Sequence, residues 1–156
     1  MEAANSTETL FEVLPPKDSD RYTMLLEFCE TNRSKVLASL PWVAGELVDG
    51  GPGFDGMFEY IRQNGGTSRF IDVEKGWFSK NLSFKTKERL MQACPGVINI
   101  PSASIVMSAL RNVAIVNAIR EKTISVSEIV RKYGVSKRYI FQLKSKFGLN
   151  TPEALA

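Results

Sequence analysis

Residues 125–147, SVSEIVRKYGVSKRYIFQLKSKF, read as two short helices joined by a tight turn, and they decide how the rest of the chain is understood. Ser125 followed by Glu128 makes a capping box: the serine oxygen accepts from the third helical amide while the glutamate reaches back to the serine amide. Ile124 and Ile129 are placed to staple that start. Ser136, with Val135 and Ile140, repeats the arrangement for the second helix. Gly134 stands between the two, where the missing Cβ permits a positive φ. Ile129, Val130, Tyr133, Val135, Ile140 and Leu143 fall where a helix-turn-helix buries its inner faces. Caps, turn and apolar spacing agree on one local structure.

With Ile140, Leu143 and Phe147 turned inward, a period of about 100° per residue sends Arg138, Phe141, Gln142 and Ser145 outward. These are side chains that reach base edges. An arginine pairs with guanine O6 and N7, a glutamine pairs with adenine N6 and N7, and a phenylalanine packs on a thymine methyl. Lys137, Lys144 and Lys146 flank that arc, and together with Ser136 at the helix start they are expected to meet phosphates. The plainer alternative is the solvated face of a surface helix pair. The basic excess on the second helix favours DNA over it.

Charge follows the same division. The net charge is +3, yet residues 1–33 hold 3 Lys/Arg against 7 Asp/Glu and residues 103–148 hold 9 against 2. A strongly basic segment in an otherwise near-neutral chain implies a polyanionic partner, and the motif makes that partner double-stranded DNA rather than a membrane. The chain has no histidine, which removes Ser-His and Cys-His nucleophile pairs and histidine metal sites. Cys29 and Cys94 stand alone, without C-x-x-C spacing, and are expected as two buried thiols. No signal peptide is read and no apolar run approaches the roughly 18 residues needed to span a bilayer. The expectation is a cytoplasmic, non-enzymatic protein with no cofactor and no metal.

Outward from the motif the chain reads as mainly α with one or two short strands. Residues 1–20, with Pro15–Pro16, are expected as a flexible acidic arm in which Leu10, Phe11, Val13 and Leu14 can dock as an apolar clip. Residues 21–101 form a helical region. Tyr22, Leu25, Leu26 and Cys29 share one face, Ser34 is placed to cap a helix that Pro41 divides in two, and Asp55 is placed to cap the helix GMFEYIRQN. The loop GGPGFDG at 50–56 lacks the Gly-Lys-Ser/Thr of a phosphate-binding loop and reads as a turn. SRFIDV at 68–73 and VINIP at 97–101 read as short strands, with helical stretches around Trp77–Phe78 and from Lys85 to Cys94. The strands need partners, either each other or the same strand of a second subunit. Helix, glycine turn, short strand occurs twice, at 56–73 and 86–101. Ser102–Glu121 is the longest helix, apolar on one face at Val106, Leu110, Val113 and Val116 and on another at Ile105, Ile115 and Ile119, so two partners should bury it. It supports the motif, giving a DNA-binding domain over 102–148, and residues 149–156 form a tail.

VINIPSAS, a long helix, then SVSEIVRKYGVSKRYIFQL resembles the Mor family, the middle-operon transcription activators of Mu-like phages. Val126, Ser127, Glu128, Ile129, Tyr133, Gly134, Val135 and Ser136 match that family's run, and Ile100–Pro101 match its strand end, over about residues 96–147. The resemblance implies a homodimer held by the region before the motif, and a phage or prophage activator working beside RNA polymerase. The family sets a double glycine directly before the Ile-Pro strand. Here Gly65–Gly66 precedes SRFIDV, so either the middle holds an extra helix and strand or Phe70–Ile71 is the strand equivalent. A repressor or plasmid-type regulator fits the same residues. From other classes come an accessory part of a recombinase or transposase, which the scattered Asp49, Asp55, Glu59, Asp72 and Glu74 do little to support, and an interaction module using Trp42, Phe54, Phe58, Trp77 and Phe78, aromatics more simply read as core.

Overall fold

A computed structural model describes residues 10–71, 74–122 and 124–149. The first nine residues of the acidic arm, Asp72 and Val73 of the first strand-like run, and all of the tail but Leu149 lie outside these. Along the described residues run α1 (Asp20–Thr31), α2 (Arg33–Ser39), α3 (Trp42–Asp49), α4 (Gly53–Asn64), β1 (Ser68–Phe70), α5 (Gly76–Asn81), α6 (Phe84–Ala93), β2 (Val97–Asn99), α7 (Ala103–Glu121), α8 (Val126–Tyr133) and α9 (Lys137–Lys146). The fold is mainly helical with one small two-stranded sheet.

Serine starts five of these helices. Ser19, Ser83, Ser102, Ser125 and Ser136 each accept the amide three residues on, satisfying one of the donors that a helix start leaves open. Ser34 does not act so: α1 and α2 abut at Asn32, which ends one helix and precedes the other, and Ser34 falls inside the first turn of α2. Nor is Asp55 a cap. α4 begins earlier, at Gly53, and Asp55 instead accepts the Tyr22 hydroxyl at 2.5 Å. Burial, with that hydrogen bond, raises the Tyr22 phenol above its ordinary pKa.

The arm is docked from Leu10 onward. Leu10 and Phe11 are buried, Phe11 edge-on to Phe28, and Arg62 donates to the Pro15 carbonyl at 2.7 Å, while Val13 stays 65% exposed. Cys29 is buried, and its thiol is pushed up to about 12 by desolvation, which makes it inert near neutral pH. Cys94 is only half-buried.

The two strands found their partners in each other. β1 and β2 run antiparallel, with Arg69 opposite Ile98. The register is extended by Gly66 N–H to the Ile100 carbonyl and Ile100 N–H to the Thr67 carbonyl, both 2.8 Å. This brings the double glycine and the Ile100–Pro101 strand end together in space although they are far apart in sequence. A Cβ on Gly65 would stand 2.7 Å from the Ile61 carbonyl oxygen and 3.1 Å from that of Pro101, so close approach of backbones is what requires glycine there.

α7 is the element that the others surround. It contacts α2 and α4 of the middle region and also α8 and α9, burying Val106, Met107, Leu110, Val113, Ala114, Ile115, Val116 and Ala118. The two partners expected for a doubly apolar helix are thus the middle region and the C-terminal helix pair. Ile105 is an exception at 55% exposure. α7 closes on Lys122 in the left-handed conformation, φ +56°. One buried cluster runs from Leu10 to Leu143, so both halves of the chain share a core.

Candidate nucleic-acid interface

The C-terminal pair is built as its residues dictate. The capping box of α8 is complete: Ser125 Oγ accepts the Glu128 amide at 3.2 Å and Glu128 Oε1 accepts the Ser125 amide at 3.0 Å. The backbone donor of Ser125 holds the Glu128 carboxyl below its ordinary range. α8 ends on Gly134 at φ +66°, the chain turns through Val135 and Ser136, and α9 follows. Nothing lies within 4 Å of where a Gly134 Cβ would point, so here backbone conformation, and not crowding, demands glycine.

Burial, one hydrogen bond and one cation–π contact hold α9 against the rest. Ile140 and Leu143 are buried in the shared core, with Phe147 half-buried beside them. Tyr139 donates its hydroxyl to Asn112 Oδ1 of α7 at 2.7 Å, and the Arg111 guanidinium lies over the Tyr139 ring, 5.6 Å from its centroid. With those sides occupied, Arg138, Phe141, Gln142 and Ser145 are all exposed, as the helical period required. Phe141 is 48% exposed and bracketed by two cations, Lys137 Nζ at 6.0 Å and Lys144 Nζ at 5.4 Å from the ring centroid. The ring keeps the two ammonium groups beside the outward arc at modest cost.

Lys137 and Lys146 are exposed and Lys144 is half-buried. Ser136 spends a lone pair on the Tyr139 amide at 3.0 Å, and its hydroxyl proton stays available to an acceptor. No ion pair among the described residues engages Lys137, Arg138, Lys144 or Lys146. Sequence reasoning missed Arg111 and Asn112, which orient α9 from another helix. Their signal was there to use: two adjacent polar residues within the apolar run of α7.

The acidic residues considered for catalysis do not converge. Asp55 is held by Tyr22, Glu59 by Lys17 at 3.5 Å, and Asp49 lies 3.9 Å from Arg33, with Asp72 outside the described residues. Among the described residues no three metal-ligating side chains gather, and no helix is long and apolar enough to cross a membrane. No protein-family model matches the chain, and no curated protein or solved structure is significantly similar to it.

Proposed function

We propose that this chain is a sequence-specific DNA-binding transcription regulator, an activator of the Mor type, whose α8 and α9 form a helix-turn-helix with α9 as the recognition helix. The observation that carries the proposal is the face of α9. Arginine, phenylalanine, glutamine and serine stand exposed along one side, the flanking lysines have no carboxylate partner among the described residues, and the opposite side is locked into the core. That combination suits a helix laid in a major groove, with donors for base edges at the centre and ammonium groups for phosphates beside them. The Mor resemblance of residues 126–136 adds the expectation of an activator acting beside RNA polymerase in the cytoplasm.

The reading includes a homodimer formed through the middle region. It is supported by Trp42 and Ile105, 48% and 55% exposed, which flank a groove of about 410 Å³ that also includes Ser68 and Asn99 at the ends of the strand pair. Two-fold symmetry in the protein would be mirrored in its site. Selection of bound duplexes from a random pool tests both parts: the expected product is an inverted repeat. Recovery of single half-sites removes the dimer, and no enrichment over the starting pool removes sequence-specific binding.

A further inference from the structure

Behind the turn between α8 and α9 lies a polar cavity of about 450 Å³ whose walls come from three separate parts of the chain. α7 contributes Ser104, Ser108 and Arg111, the last turn of α8 contributes Arg131 and Lys132, and Gly134 of the turn closes one side. Glu12 is the one carboxylate in the lining, set against three cations. Arg131 and Lys132 have a local reason for their place, since cations are favoured beside the open carbonyls at a helix end. Arg111 has none. It sits in the middle of α7, its guanidinium is held over Tyr139, and its Nε is shut off from solvent without an acceptor. Buried donors are nearly always satisfied, and a guanidinium N–H without a protein acceptor, in a cavity lined by two further cations, offers a donor set matched to an anion.

We infer that this cavity is a phosphate-binding pocket, in which Arg111 grips the phosphate with Arg131 and Lys132 beside it and the Ser104 and Ser108 hydroxyls complete the donor set. A guanidinium offers several N–H donors in one plane, the geometry that phosphate oxygens take best, and the serines add neutral donors that do not raise the mutual repulsion. The phosphate comes from a backbone phosphodiester of bound DNA or from a free phosphorylated molecule. The first source rests on the DNA-binding reading above; the pocket itself does not. As a backbone clamp it would lie at the start of α9 and add one contact insensitive to sequence.

Nuclear magnetic resonance on the full chain separates these cases, following the Arg111 Nε–Hε signal, the Gly134 amide and the amides of α9. Inorganic phosphate should shift the first two, sodium chloride at equal ionic strength should not, and Arg111→Gln should abolish the Gly134 shift. If a duplex moves the same pair of signals together with α9, the source is DNA, and Arg111→Gln should then weaken all duplexes several-fold and lower the slope of log affinity against log salt by about one. If phosphate moves the pair and no duplex moves any signal, the pocket stands with a small phosphorylated ligand and the DNA reading falls. If a duplex moves α9 but neither it nor phosphate moves the pair, the DNA reading stands and this inference is overturned. Arg131→Gln is the second variant: an unchanged phosphate response there and in Arg111→Gln also overturns it.

Discussion

α6 and α9 are near twins on paper. Each has ten residues, each starts on a serine cap, each carries several basic side chains and an exposed phenylalanine, and each is anchored by two buried residues, Thr86 and Leu90 in one and Ile140 and Leu143 in the other. They differ in what the charges do. On α6, Arg89 lies 2.8 Å from Glu46 of α3 and also reaches the Thr86 hydroxyl, and the helix carries an acidic residue of its own, Glu88. On α9 there is no acidic residue, and its three lysines lie over aromatic rings, Lys137 and Lys144 at Phe141 and Lys146 at Phe147. Basic composition therefore does not mark a ligand-facing helix. The arginine is what separates them: Arg89 is paired with a carboxylate, and among the described residues Arg138 is in no ion pair.

The largest effects should strike the two helices alike, because both are held by a fully buried aliphatic. Leu90→Ala and Ile140→Ala should each cost about 2–5 kcal/mol in urea unfolding, through lost burial and a residual cavity. A loss under about 1 kcal/mol for Ile140→Ala alone would mean that α9 is not seated on the core as α6 is. Next comes the turn. Gly134→Val should destabilise by roughly 1–3 kcal/mol, since a β-branched residue is strained at positive φ, and thermal melts equal to wild type would place the chain elsewhere.

The sharpest contrast is functional. Arg138→Ala should lose about 1–3 kcal/mol on the preferred duplex and relax the choice of base at one position. Lys144→Ala should weaken every duplex alike and reduce the salt slope by about one. Both should melt like wild type, whereas Arg89→Gln should lower the melting temperature and leave duplex affinity alone. Competition titrations at several salt concentrations, beside melts, measure all three. If Lys144→Ala behaves as Arg89→Gln does, the division between used and unused charge collapses. Equal losses on specific and scrambled duplexes for Arg138→Ala would instead show that α9 does not face base edges.

The smallest effect is a titration. Glu128 is held below its ordinary pKa by the Ser125 amide, so its contribution to stability is complete above the pKa of an unfolded glutamate and is lost as pH falls through the lower folded value. Following the Glu128 carboxyl by nuclear magnetic resonance should show that low midpoint in wild type and its return toward normal when the serine partner is removed in Ser125→Ala.

The C-terminal pair was legible because its signals are local: a capping box, a glycine and a helical period all lie within one stretch of chain. The same holds for the strands, whose apolar runs bounded by glycine and proline mark where β1 and β2 stand, while nothing local decides which partner each strand takes. What failed were assignments that depend on distant residues. Asp55 looked like a cap, but a tyrosine 33 positions away takes its carboxylate. Ser34 looked like a helix start because nothing in sequence shows α1 and α2 meeting at Asn32. Ile105 fits an apolar face yet lies beside an open groove. Arg111 escaped notice since its meaning comes from Tyr139, on a helix that only the fold brings near.

The bond from Tyr139 to Asn112 also limits the angular play of α9. Side-chain tips lie about 5–6 Å from a helix axis, so a roll of about 20° swings each of them through about 2 Å. The span between a made and a broken N–H···O contact is only about 0.5 Å. Burial of Ile140 and Leu143 fixes where the cylinder rests, but greasy contacts tolerate rotation far better than a hydrogen bond of 2.7 Å does. α7 therefore serves as a bearing with a single index pin, and Asn112, which lies on neither α8 nor α9, sets the clock position of Arg138, Phe141, Gln142 and Ser145 at once.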